Sequence, residues 1–185
     1  MDVTPDDDVG ARILEIERNP RAWLEEGDRL KAAADLVGSR FQSEMQSLMG
    51  IWDALPAHMQ FNASRLGAPA LLLIGYAIEV LAKGLIVAAD PQEAGRLKRH
   101  IDHELLSAAG VELEPGDEAL IEKLYHCVKW MGRYPTPVEK DGQRFDEAAA
   151  RAGHWMFGPG AIGSDDYRRS VVLFDRMRNR LEKAI

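Results

Sequence analysis

The arrangement of apolar and polar residues along the chain predicts helices almost throughout. Apolar residues recur at three- and four-residue steps in most segments, and hardly any segment shows the strict alternation typical of a half-buried strand. The longest periodic segment spans residues 20–54, and its apolar stripe consists of Trp23, Leu30, Ala34, Val37, Phe41, Met45 and Leu48. The pattern therefore predicts an all-α protein whose first long helix occupies residues 20–54.

Capping residues predict where the N-terminal helices begin and end. Asp8 is expected to cap a short helix that runs to Glu17. Asn19 and Pro20 form a favourable start for the long helix, because asparagine is a good cap and proline fits the first helical position. Pro56 is expected to end this long helix, since proline has no N–H to continue the helical hydrogen bonds.

Residues 71–89 form an apolar run that is almost long enough to cross a bilayer. Glu79 and Lys83 lie within it, four residues apart, in the order that favours an ion pair on one helix face. A charge in the middle of a membrane span costs about 2.5–3.5 kcal/mol, and no cluster of Lys or Arg flanks the run. We therefore interpret it as the central helix of a bundle, opened by Pro69 and covered by other helices.

Three further helices are predicted in the second half of the chain. Asp102 caps a short helix that Gly110 ends, and another helix runs over residues 115–131. The final helix is expected to have Ser164 as its cap, with acidic residues first and basic residues last, as the helix dipole favours. Residues 133–163 break the helical pattern and predict a long loop, and loops of this length are often functional.

Composition predicts one domain in a reducing compartment. The chain has 185 residues, of which 46% are hydrophobic and 29% charged, and this suits a single globular domain over residues 1–185. Its single cysteine, Cys127, excludes an internal disulfide and favours a cytoplasmic location. The acidic N-terminal segment, residues 1–18, carries six acids and two bases, which is unlike the basic start of a signal peptide.

Several motifs in the second half of the chain occur in a characteristic order. An apolar helix reads YAIEVLAKGLIVA, a short segment reads HIDHELLSAAG, and a later helix closes on LYHCVKWMGRYPTP before the terminal helix. Over residues 69–185 this order resembles the HEPN superfamily, the higher eukaryotes and prokaryotes nucleotide-binding domains. The resemblance implies a four-helix bundle, here with a short extra N-terminal helix and a long loop before the last helix.

The resemblance also implies homodimers that act on RNA or nucleotides, or serve as accessory modules, often in toxin–antitoxin or defence systems. Many members are metal-independent ribonucleases, in which an Arg holds the scissile phosphate and a nearby His acts as acid or base. Here Arg96 and His103 alone match that spacing, but the family usually places the pair on its last core helix. The last helix ends in RMRNRLEKAI without a histidine. We therefore expect a non-catalytic binding or accessory module, and the alternative is a ribonuclease with a degenerate pair formed by His103 and either Arg96 or Arg133.

Five residues are candidates for ligand binding. Tyr76, Glu79 and Lys83 share one face of the central helix, where they would line a polar pocket or, alternatively, hold an ion pair that fixes helix packing. Arg133 and Tyr134 follow a helix end, where they would face a ligand cleft or simply stop the helix. The chain has no zinc motif and no phosphate-binding glycine loop, so neither a metal nor a cofactor is expected.

The distribution of charge restricts the partners that the chain is expected to bind. Its net charge of −7 argues against broad, non-specific binding to nucleic acid. Residues 166–185 nevertheless carry six bases and three acids. This basic strip on the last helix would contact RNA, dock an acidic protein partner, or simply face solvent.

Overall fold

The structure is a computed structural model that describes residues 5–56, 59–60, 65–131 and 162–185. In these residues it contains helices and no strands, which confirms the prediction of an all-α protein. The particular four-helix arrangement of the HEPN superfamily stays a prediction. The α-helices of the described residues are α1 (Pro5–Glu17), α2 (Pro20–Leu48), α3 (Gly67–Ala89), α4 (His103–Ala108), α5 (Asp117–His126) and α6 (Ser164–Ala184).

Three shorter helical turns connect or extend these helices. The 3₁₀ turns are Trp52–Ala54, after α2, and Pro91–Arg96, after α3. A π-helical turn, Cys127–Met131, continues directly from α5. The helix predicted over residues 115–131 is therefore present, but it begins at Asp117 and changes to the wider π geometry for its last five residues.

The predicted start of α2 is confirmed, whereas its predicted end is wrong. The Asn19 side chain accepts a hydrogen bond from the N–H of Arg21 at 3.1 Å, and Pro20 is the first helical residue. The helix ends at Leu48, well before Pro56, and Gly50 follows closely. Glycine weakens a helix by about 1 kcal/mol relative to alanine, which is consistent with the early end.

Three other predicted helix starts are shifted by a few residues. Helix α1 begins at Pro5, so Asp8 lies inside its first turn. Helix α3 begins at Gly67, and Pro69 is its third residue. Proline has no N–H, but the first four N–H groups of a helix make no intrahelical hydrogen bond, so none is lost here. Helix α6 has Gly163 as its cap, because the Asp166 carboxylate accepts the Gly163 N–H at 2.9 Å. Ser164, the predicted cap, is therefore the first helical residue.

The predicted boundaries of α4 are confirmed. The Asp102 side chain accepts the N–H of Leu105 at 2.7 Å, which satisfies one unpaired donor of the first turn. Gly110 follows the helix with a φ of +65°, in the left-handed region that glycine adopts without a steric penalty.

Helix α3 lies at the centre of the fold, packed against α2, α6 and the π-helical turn. Among the described residues it is the one helix long and apolar enough to cross a membrane, and 67% of its most apolar window is buried inside the protein. The core helix of a bundle meets the same length and composition criteria, so burial supports the interpretation made from the sequence. The largest fully buried side chains include Phe41, Leu71, Ile74, Ile78, Leu81, Leu124, Leu173 and Phe174.

A close contact between Gly38 and Tyr167 brings α2 and α6 together. A Cβ atom at Gly38 would lie only 2.1 Å from Cζ of Tyr167, so no larger residue fits while the ring keeps its place. The ring is buried, and its hydroxyl donates a hydrogen bond to Asp35 at 2.9 Å. Arg178 adds a second link between the same helices, because it forms two hydrogen bonds with the Asp28 carboxylate.

Candidate functional site

The predicted pair Glu79–Lys83 is buried and joined to a second segment of the chain. Lys83 Nζ lies 2.7 Å from Glu79 Oε1, and the two side chains are 13% and 8% exposed. Glu79 Oε2 accepts the N–H of Ile101 at 3.0 Å, and His100 Nδ1 lies 3.4 Å from the same oxygen. Both carboxylate oxygens therefore have protein partners, which favours the packing role over a ligand pocket.

Tyr76 lies one turn before Glu79 and faces the π-helical turn. Its hydroxyl donates a long hydrogen bond, 3.5 Å, to the carbonyl of Val128. This contact joins α3 to the segment after α5 and is consistent with a structural role for Tyr76. Arg133 and Tyr134, the other two ligand-binding candidates, lie outside the described residues.

Arg96 and His103 are both exposed and no hydrogen bond joins them. Arg96 ends a 3₁₀ turn, where its guanidinium pairs with Glu93 at 2.9 Å. His103 is the first residue of α4, and within the described part of the chain its side chain makes no hydrogen bond or ion pair. A general base is often oriented by a third group, and among the described residues no side chain has that role for His103.

The basic side chains of residues 96–103 point in different directions, some towards the interior and others towards the surface. His100 is directed towards the buried Glu79, whereas Arg99 forms an ion pair with Glu104 on the surface. The segment 96–103 therefore does not present its bases on a common surface. It contributes the Ile101 N–H and the His100 ring to the Glu79 cluster, whereas Arg96 and Arg99 pair with acids on the surface.

The structure shows a second polar cluster, centred on Asp117, that was not predicted from the sequence. Asp117 follows Gly116, whose φ of +88° turns the chain into α5. Its Oδ1 accepts a hydrogen bond from Arg169 at 3.1 Å, and its Oδ2 accepts one from Arg176 at 3.2 Å and one from the Glu114 N–H at 2.9 Å. The only hint in the sequence was the excess of bases over residues 166–185.

The Asp117 carboxylate is stabilised in its charged form. Partial burial acts to raise its pKa, but the hydrogen bonds from the Glu114 N–H, Arg176 and Arg169 together lower the pKa below its usual value. The charged carboxylate therefore fixes both guanidinium groups beside the start of α5. A second carboxylate also reaches Arg176, because Glu114 Oε1 lies 2.6 Å from its Nη1.

Two adjoining cavities follow this cluster along α6. The first, about 300 Å³, is bordered by Arg168 and Arg169, and the second, about 560 Å³, by Arg180. Arg176 and Glu114 border both cavities, so the two adjoin each other at this ion pair. We call this feature the arginine groove, and define it by Arg168, Arg169, Arg176, Arg180 and the facing segment 110–117.

The lining of the arginine groove is partly apolar. Val172 is 60% exposed between the arginines of α6, and Val111, Leu113 and Pro115 border the groove from the opposite side. Charged donors beside apolar surface are typical of sites that hold a ligand with both charged and apolar parts. The volume of each cavity is within the range of small-ligand sites.

Neither a metal nor a reactive thiol is indicated by the described side chains. In the described ranges no three His, Cys, Asp or Glu side chains lie close enough together to hold a metal ion. Burial raises the pKa of the Cys127 thiol to about 12, with a further increase from Asp166 that Lys123 opposes. The thiol is therefore protonated at neutral pH and is a poor nucleophile.

Comparison with models of known families, with curated proteins and with solved structures finds no match to this chain.

Proposed function

We propose that this chain is a non-catalytic binding module that holds RNA in the arginine groove. The observation that carries the proposal is the row of four arginines on one face of α6, facing the segment 110–117. A guanidinium group binds phosphate oxygens through paired hydrogen bonds, and it keeps its charge at any physiological pH. This choice of ligand also agrees with the RNA-associated role that the HEPN resemblance implies.

The charge of the groove differs from that of the whole chain. Four arginines and three acids, Glu112, Glu114 and Asp117, border it, and a fourth acid, Asp165, pairs with Arg168, so the groove is close to neutral in a protein with a net charge of −7. A groove of balanced charge in an acidic protein repels a phosphate backbone less than the rest of the surface does, and its guanidinium groups supply donors to the phosphate oxygens. Binding is therefore expected to be confined to this surface.

The spacing of the arginines suits an extended ligand. At about 1.5 Å per residue, Arg169 and Arg176 are separated by about 10 Å along the helix axis, and Arg176 and Arg180 by about 6 Å. A single strand laid along α6 would present successive phosphates to successive arginines, as in other grooves that follow a nucleic-acid backbone. The apolar lining residues around Val172 would contact the bases or riboses.

The positions of Arg96 and His103 support the non-catalytic form of the proposal. Arg96 is paired with Glu93, and His103 has no described partner to orient its ring. The alternative, a metal-independent ribonuclease that uses this pair, has less support for that reason. A toxin–antitoxin or defence setting, a homodimer, a protein partner and a cytoplasmic location stay predictions from the sequence.

The proposal is tested by fluorescence anisotropy with a labelled single-stranded RNA in EDTA. We expect binding that weakens as salt rises, with a slope in log K against log salt of about −0.7 for each phosphate contact. Arg168→Gln is the most informative variant, since the described contacts of Arg168 are with Asp165 of its own helix, one turn before it. Arg176→Gln removes the central contact, and circular dichroism checks that the helices remain.

Arg29→Gln is the matched control, because Arg29 is also exposed and also pairs with an acid of its own helix, Glu26. We expect the two groove variants to bind RNA several-fold more weakly, with a shallower salt slope, and Arg29→Gln to match the wild type. The proposal is wrong if the wild type does not bind RNA at low salt. It is also wrong if Arg29→Gln weakens binding as much as Arg168→Gln.

A further inference from the structure

The two carboxylates that contact Arg176 are held in different ways. The Asp117 side chain is 11% exposed and has three hydrogen-bond donors, from Arg169, Arg176 and the Glu114 N–H. The Glu114 side chain is 71% exposed, and Arg176 Nη1 at 2.6 Å is its one partner among the described residues. Asp117 is therefore a fixed part of the groove, whereas the Glu114 side chain lies over its surface.

We infer that Glu114 occupies the phosphate position of Arg176 in the unliganded protein, and that a bound phosphate displaces it. The inference rests on the proposed function, and it assigns a regulatory role to one side chain of the same groove. A carboxylate and a phosphate present similar oxygens to a guanidinium group, so the two compete for the same donors. Glu114 thus weakens the binding of every ligand whose phosphate has to displace it from Arg176.

The displacement requires little change in the protein. An exposed ion pair contributes only about 0.2–1 kcal/mol, because water screens the attraction and the side chains lose rotamer freedom. The Glu114 backbone stays in place through its N–H bond to Asp117, so the side chain alone has to rotate. Asp117 meanwhile continues to hold Arg169 and Arg176 in position for the incoming anion.

Arg176 also has one hydrogen-bond donor that is not paired. Its Nε–H is buried and has no hydrogen-bond partner within the described residues, although both Nη atoms are paired. A buried donor without a partner is unfavourable. The two non-bridging oxygens of an RNA phosphodiester can accept from more than one donor of a guanidinium group, and Nε is the Arg176 donor that is still without a partner among the described residues.

The test compares Glu114→Gln with Glu112→Gln by anisotropy, using the same labelled RNA on the full chain. Both variants remove one negative charge from the same exposed segment of the groove, but no ion pair with an arginine of the groove is described for Glu112. From the energy of an exposed pair we expect Glu114→Gln to bind about two- to fivefold more tightly than Glu112→Gln. In an Arg176→Gln background the advantage of Glu114→Gln should disappear.

The outcomes separate this inference from the proposed function. If the wild type binds RNA and Glu114→Gln matches Glu112→Gln, the effect is one of net charge and Glu114 does not occupy the phosphate position. The same conclusion follows if the advantage persists without Arg176. If neither the wild type nor Glu114→Gln binds at low salt, the proposed function fails and this inference fails with it.

Discussion

The Glu79 carboxylate binds the backbone of Ile101, which lies 22 residues further along the chain. Its Oε2 accepts the Ile101 N–H at 3.0 Å while its Oε1 receives Lys83 at 2.7 Å. The charges inside the apolar run thus attach the central helix α3 to the segment that leads into α4. A buried charge of this kind is costly when one partner is removed, because the remaining charge stays in a poorly solvated place.

We therefore expect Lys83→Met to lower the free energy of unfolding by about 3 kcal/mol, measured by chemical denaturation. The double variant Glu79→Gln/Lys83→Met should recover much of this loss, since no buried charge remains and the glutamine oxygen still accepts the Ile101 N–H. Arg29→Met, which breaks the exposed pair with Glu26, should change stability by less than about 0.5 kcal/mol. Equal effects of Lys83→Met and Arg29→Met would contradict a buried pair.

Gly38→Ala should destabilise the protein even though alanine favours helices. Its Cβ would lie 2.1 Å from Cζ of Tyr167, and the buried ring is held by its bond to Asp35. Overpacking of this kind costs about 1–3 kcal/mol, more than the gain of up to about 1 kcal/mol from helix propensity. Gly10→Ala in α1 is the control, since no atom lies within 4 Å of its Cβ position. Thermal unfolding should show a lower midpoint for Gly38→Ala alone, and a higher one would contradict the close packing of α2 and α6.

Stability should fall at alkaline pH partly because of Tyr167. Burial, and then the hydrogen bond to Asp35, raise the pKa of its hydroxyl well above that of an unfolded tyrosine. Above the unfolded pKa, near 10, the unfolded chain releases this proton while the folded chain retains it, so stability decreases as pH rises. Unfolding measured between about pH 8 and 11 should show a shallower decline for Tyr167→Phe than for the wild type. Parallel curves would mean that the hydroxyl titrates alike in both states.

Neither the wild type nor His103→Ala should cleave RNA in EDTA above background. The structure shows His103 exposed, with no described contact to Arg96. Removal of a true general base lowers a rate by about 10²- to 10⁴-fold, so gel assays would resolve the difference easily. Cleavage by the wild type that disappears in His103→Ala would establish the ribonuclease alternative and overturn the non-catalytic proposal.

The sequence by itself determined the elements whose physics is local. The cap formed by Asn19 and Pro20, the cap at Asp102 and the stop at Gly110 depend on residues a few positions apart, and all are present. The pairing of Glu79 with Lys83 is also local, because residues four apart share a helix face. A boundary predicted from local residues is still uncertain by a residue or two where neighbours can each serve as the cap. At the start of α6 the cap is Gly163 and not Ser164.

Only the tertiary structure decided which distant residues meet. Periodicity identifies the apolar face of a helix, but it contains no information about which helix covers that face. The contact of Asp117 with Arg169 and Arg176 spans more than fifty residues, and it depends on the start of α5 lying beside α6. The arginine groove follows from that packing, and this is why the sequence indicated a basic strip but not a site.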